Sequence, residues 1–332
     1  MGNAILLLAS FAIILAGALV FTNAVEWLGH RLDLGEGATG SILAAVGTAM
    51  PETLIPIVAI IGGAEGAEDV AVGAIIGAPF LLATLAMALV GLSAFIFQRR
   101  RDQGLALKAD IETLDRDLAF FLAFFGIGLL AGALLPDAVH VPLAIVFLAA
   151  YFVYVRATLR GGGEVQQAET IGRLYMDRSD ASQPPFKLIL IQLGVGLAAI
   201  VGGAHMFVEE LIHFAEDIGI DALVLSLILA PLATELPEKV NSFFWVREGK
   251  DSLALGNITG AMVFQSTIPV AFGLALTSWD LDRFALVSGC LGLAGGALAY
   301  LTLRNRGRFE LIPVIVWGCL FGGFLAYVTA SG

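Results

Sequence analysis

Charge is what this chain has least of. Of 332 residues, 14% are Asp, Glu, Lys or Arg, while 58% are hydrophobic, and the mean hydropathy is +0.88. A soluble protein of this length needs far more charged surface, so the composition is that of an integral membrane protein. Cationic side chains are the scarcest. Lys and Arg number 18 against 29 Asp and Glu, a formal net charge of -11, which argues against nucleic acid as a partner. The only two cysteines, Cys290 and Cys319, fall in late apolar runs and read as small packing residues rather than a disulfide or metal pair. His-Glu-x-x-His, Gly-x-Ser-x-Gly and a phosphate-cradling Gly-Lys-Ser/Thr loop are all missing, so no familiar enzyme centre is signalled. The first 21 residues lack the basic n-region of a signal peptide and are apolar over a bilayer-spanning length, so they read as a retained helix.

What the chain has instead is apolar runs. Ten are long enough to cross a bilayer, at 3–24, 38–62, 69–97, 117–136, 139–156, 187–214, 219–246, 251–277, 283–303 and 309–330. One long polar segment, from Arg156 to Pro185, divides them five and five. The expected plan is a first five-helix repeat over 1–158, a linker over 159–186 and a second five-helix repeat over 187–332. Nearly all Lys and Arg fall after spans one, three, five, seven and nine; the opposite side holds only Arg283. By the positive-inside rule both termini face outward and the linker is cytoplasmic, in a multi-pass protein of the cell's inner (plasma) membrane. The segment from Leu105 to Leu118 spaces Leu107, Ile111, Leu114 and Leu118 on one helical face, which fits either a short interfacial helix or a solvated loop.

The chain also repeats itself. Gly47-Thr48-Ala49-Met50-Pro51-Glu52 is answered 186 residues later by Ala233-Thr234-Glu235-Leu236-Pro237-Glu238. Further on, Gly73-x-x-x-Gly77 is answered by Gly256-Asn257-x-x-Gly260. Five spans separate the two acid-bearing helices, so they run in opposite directions. The expected fold is therefore all-α, with ten transmembrane helices as two inverted five-helix repeats, the sequence signature of a transporter.

Glu52 and Glu238 stand mid-span, where a carboxylate is expensive and so implies a cationic cargo or partner. Pro51 and Pro237 cannot donate to the carbonyls of Gly47 and Ala233, which frees two acceptor oxygens and points to broken helices around a cavity. With the hydroxyls of Thr48 and Thr234, these make an all-oxygen cage suited to hard inorganic cations such as Ca²⁺ or Na⁺. Glu235 and Lys239 stand at i and i+4 in the favoured order for an ion pair. Either they simply pair, or Glu235 serves as a further ligand while Lys239 competes with the cation. Gln265 and Asn257 offer oxygens from span eight, and Asn241 and Ser242 follow Glu238 along the same helix. His30, His140 and His213 lie near span ends; His205 lies within span six and is open to a gating or proton role. Glu209 and Glu210 are expected at the outer mouth, where they would attract cations.

The duplicated Thr-x-x-Pro-Glu motif, each copy followed by Gly-x-x-x-Gly, resembles the α-repeats of the sodium/calcium exchanger (cation/Ca²⁺ antiporter) superfamily. The likeness covers the whole ten-span plan. It implies that Thr48, Glu52, Thr234 and Glu238 are ion ligands, that Ca²⁺ and Na⁺ are transported without a cofactor, and that the first and sixth helices move as a gate. It also marks departures. Ala49 and Glu235 replace motif serines; Ala74, Ala78 and Leu82 occupy ligand positions of span three; Ala261 and Gln265 do so in span eight. Proton-coupled exchange is therefore an open alternative to sodium coupling, and an intramembrane enzyme or a non-transporting sensor are rivals from other classes.

Overall fold

The computed structural model describes residues 2–31, 51–102, 104–108, 110–160, 172–177 and 183–331, and within them the protein is almost wholly helical. In chain order the helices are α1 (Gly2–Arg31), α2 (Pro51–Gly62), α3 (Ala67–Leu81), α4 (Met87–Phe97), α5 (Ile111–Leu134), α6 (His140–Arg160) and α7 (Phe186–Ile218). The rest are α8 (Ala222–Arg247), α9 (Asp251–Gln265), α10 (Ile268–Leu276), α11 (Arg283–Arg306) and α12 (Leu311–Ser331). Among the described residues, eight helical segments are long and apolar enough to cross a membrane. Of the two remaining expected spans, 38–62 is described only from Pro51, and 219–246 forms the continuous 26-residue α8. Among the described residues the apolar stretch of α8 is the shorter Ala222–Glu235.

Helix ends follow local chemistry. Asp110, Asp221 and Asp282 each accept a backbone N–H of the first turn of α5, α8 and α11. Gly219 and Gly307 end α7 and α11 in the left-handed conformation that a side chain resists.

α1 and α7 pack antiparallel along their length. Asn3 donates to Asp217 at one end and Gln192 to Asn23 near the other. Between these ends Gly17, Gly196 and Gly203 leave no room for a Cβ, so the two backbones touch. The third expected span is α3 and α4 joined through a π turn, Leu82–Ala86. The eighth is α9 and α10 separated at Ser266-Thr267. By the spacing that sets Gly256 opposite Gly73, Gln265 answers Leu82, so the two interruptions fall at matched places.

α3 runs alongside α8 in the same direction. Ser226 donates to the Val70 carbonyl at 2.6 Å. Pro231 cannot donate to the Leu227 carbonyl four residues back, and Gly77 lies against that oxygen so closely that a Cβ would overlap it. Gly77→Ala should therefore cost about 1–3 kcal/mol through overpacking. Gly318→Ala, at a glycine with open space around it, should stay within about 0.5 kcal/mol. Thermal unfolding of the two variants in detergent makes the comparison.

One end of the bundle collects the basic loops. There Leu107–Lys108 (β1) pairs antiparallel with Arg308–Phe309 (β2). This corrects both readings of 105–118: Leu107 is buried by strand pairing, and Ile111 already begins α5, six residues before the expected start of that span. Cys290 and Cys319 are free and exposed on the bundle exterior rather than packed inside it.

Candidate cation site

A residue from each copy of the motif faces one cavity. Glu52, in the first turn of the described part of α2, and Thr234, midway along α8, line it together with Ile55, Ala74, Ala78, Ala230 and Pro231. Its volume is about 10 Å³, room for one particle the size of a water molecule. Among the described residues that line it, only Glu52 and Thr234 have polar side chains, and they are 8% and 5% exposed. A carboxylate at this depth calls for a positive charge or a proton. Thr234 donates its hydroxyl hydrogen to the Ala230 carbonyl at 3.1 Å, and its oxygen can still coordinate.

α8 stays helical through Pro231 and Pro237, so the broken backbone expected around Pro237 is not found on this helix. The missing N–H of Pro237 still leaves the Ala233 carbonyl without its usual donor. Broken geometry occurs instead in the neighbouring helices, at the π turn and at Ser266-Thr267.

Glu235 follows Thr234, about 100° further round α8, and meets a different set of groups. Its carboxylate lies 3.0 Å from the Lys239 ammonium, and its other oxygen accepts from the Gln265 amide at 3.3 Å. All three side chains are buried. Asn257 donates to Ser242 at 3.1 Å, which ties α9 to α8 away from the cavity. Asn241 is exposed. The sequence-derived set thus divides into Glu52 with Thr234, Glu235 with Lys239 and Gln265, and Asn257 with Ser242. Gly47 and Thr48 lie outside the described residues, as does the side chain of Glu238; the backbone of Glu238 is part of α8.

Ala74 and Ala78, marked in the sequence as departures from the family pattern, form part of the cavity wall. Two further features escaped the sequence reading. Asp117, deep in α5, accepts from Tyr154 at 2.8 Å, from Thr259 at 2.9 Å and from Arg116 at 3.0 Å. Arg101 and Asp251 form a buried pair at the basic end of the bundle. Neither has a local pattern that would reveal its partner. Of the histidines, His205 is exposed 3.4 Å from Glu209, and His140 is buried with Nε2 3.4 Å from the Ala131 carbonyl.

A family model described as sodium/calcium exchanger protein matches residues 2–160 and 188–330. The chain belongs to this family. This protein is a multi-pass membrane antiporter of the sodium/calcium exchanger family. Sodium/calcium exchanger MaX1 of Methanosarcina acetivorans is 27% identical over 293 residues, 79% of each chain. Inner membrane protein YrbG of Escherichia coli is 24% identical over 253 residues, 74% of this chain and 71% of its own. A crystal structure of H⁺/Ca²⁺ exchanger CAX superposes with a TM-score of 0.73 at 19% identity, covering 98% of this chain and 82% of that one. At that identity the superposition speaks for the fold.

Proposed function

We propose that this antiporter exchanges Ca²⁺ for Na⁺ across the inner (plasma) membrane, by alternating access at a mid-membrane site built on Glu52 and Glu238. The observation that carries the reading is the cavity shared by Glu52 of the first motif and Thr234 of the second. A buried carboxylate and a hydroxyl oxygen converging on a space of ionic size suit a hard cation. Thr48, Thr234 and the carbonyls of Gly47 and Ala233 complete the ligand set, while Gln265 holds Glu235 beside it. Ca²⁺ and Na⁺ are cargo, and the exchange needs no cofactor.

The frame of this reading is ten spans in two inverted repeats, 1–158 and 187–332, joined by a cytoplasmic linker over 159–186, with both termini outside. Three observations support it: α1 and α7 pack antiparallel, the third and eighth spans are interrupted at matched places, and the basic loops gather at one end. The relative YrbG is an inner membrane protein.

Proton coupling is the second reading, and a specific observation favours it. Ala74 and Ala78 face the cavity and supply no side-chain oxygen. A sodium ion needs several oxygens, whereas a carboxylate takes a proton alone. ⁴⁵Ca²⁺ uptake into proteoliposomes under a Na⁺ gradient, and separately under a pH gradient, tests the pair. Sodium-driven uptake is the expected result. Uptake driven only by pH would replace sodium with protons, and no uptake under either gradient would sink both readings.

A further inference from the structure

The ion pair beside the cavity bears on how many ions each cycle carries. Lys239 and Glu235 are 2% and 1% exposed, deep in a membrane helix, with Nζ 3.0 Å from the carboxylate. Gln265, itself 2% exposed, donates to the second oxygen of Glu235 from α9. As a packing device this arrangement is a poor choice, because a buried ion pair is generally no more stabilising than apolar residues of the same size. Its position is the informative part. Glu235 is adjacent in sequence to Thr234, which lines the cavity, and Lys239 is adjacent to Glu238.

We infer that Lys239 is a tethered monovalent cation of the transport site, permanently neutralising Glu235 and thereby fixing the charge exchanged at two. The inference rests on the exchanger reading above. With Glu235 and Lys239 summing to zero, Glu52 and Glu238 leave a charge of minus two. One Ca²⁺ balances that charge, and so do two monovalent cations, whether Na⁺ or H⁺. The loaded site is neutral in both halves of the cycle, and no net charge crosses the membrane. Without Lys239 a third carboxylate would demand a third monovalent ion for each Ca²⁺, and each cycle would move one elementary charge. Glu235 and Lys239 are thus specificity-determining, setting stoichiometry rather than choosing Ca²⁺.

The test is steady-state ⁴⁵Ca²⁺ accumulation in proteoliposomes, driven by a fixed gradient of the monovalent ion that works, with voltage clamped by K⁺ and valinomycin. The unaltered protein should give the same Ca²⁺ ratio at 0 and at 100 mV. Lys239→Met should make the ratio voltage-sensitive, approaching about 50-fold per 100 mV for one charge per cycle. Glu235→Gln combined with Lys239→Met removes both charges without stranding either. It should give slower exchange that is again insensitive to voltage, and it serves if the single variant does not fold. Voltage-sensitive exchange in the unaltered protein would overturn this inference and leave the exchanger reading standing. Voltage-sensitive or absent exchange in the double variant would do the same, since the pair would then be coordinating cargo. No exchange by the unaltered protein under either gradient would remove both.

Discussion

Glu52→Gln is expected to abolish Ca²⁺ exchange. The substitution keeps the shape of the side chain and its capacity to fill the wall of the cavity, so folding should be little affected. What it removes is the one described carboxylate facing the space where a cation would sit. Stripping the counter-charge from a buried ion costs about 3–5 kcal/mol, which is roughly 200- to 5,000-fold in the occupancy of the site. Uptake of ⁴⁵Ca²⁺ should therefore fall to background under both Na⁺ and pH gradients, while the variant still unfolds cooperatively in detergent. Thr234→Ala offers the graded comparison. It deletes a neutral oxygen already donating to Ala230, and a loss of roughly ten-fold is expected from one hydrogen-bond-sized contribution of about 1–1.5 kcal/mol. Should Glu52→Gln transport Ca²⁺ at the unaltered rate, the cavity would not be the cation site, whatever its symmetry suggests.

How far the site was legible beforehand follows from which signals are local. The pairing of Glu52 with Thr234 of the second motif is an expectation from the duplicated motif, since an odd number of apolar runs between the copies predicts antiparallel helices that cross. Most spans were likewise readable, since each is a continuous apolar run, but hydropathy expresses neither their exact ends nor the interruptions of the third and eighth. α5 begins at Ile111 because Asp110 caps it, a choice that hydropathy alone does not express. The Glu235–Lys239 pair was visible as i,i+4 spacing, but Gln265 as its third member required knowing that α9 packs against α8. The burial of Leu107 illustrates the opposite error. Its spacing with Ile111 and Leu114 suggested a helical face, whereas its true partner is Phe309, some two hundred residues away. Expectations based on proline were half right. Pro231 and Pro237 free carbonyl oxygens without unwinding α8, and the breaks lie one helix over.

The largest stability effect should come from Arg101, a residue with no sequence signal. Its guanidinium meets Asp251 through two parallel bonds of 2.8 Å, and both side chains are almost fully buried. It also donates to the carbonyls of Gly104, Ala106 and Val246, while Asp251 accepts from the Lys108 backbone at 3.0 Å. One side chain thereby joins the segment after α4, the loop leading into β1, the last turn of α8 and the first turn of α9. Arg101→Ala leaves Asp251 as an uncompensated buried charge and takes one donor from each of three carbonyls, of which Val246 keeps the Gly249 N–H, for an expected loss of about 3–5 kcal/mol. Asp251→Ala should cost a comparable amount. The double substitution should cost far less than the sum of the two, with a coupling energy near the upper end of the 0.5–3 kcal/mol range. Additive losses in unfolding experiments would mean that the two residues act independently, against the bidentate geometry. The consequence for transport follows from where the joint sits. α3 and α4 run parallel to α8 and are fastened to it at this end, so loosening the joint should disturb the packing of α3 and α8 around the cavity. Arg101→Ala should accordingly lower the exchange rate even where the folded fraction is restored by lower temperature.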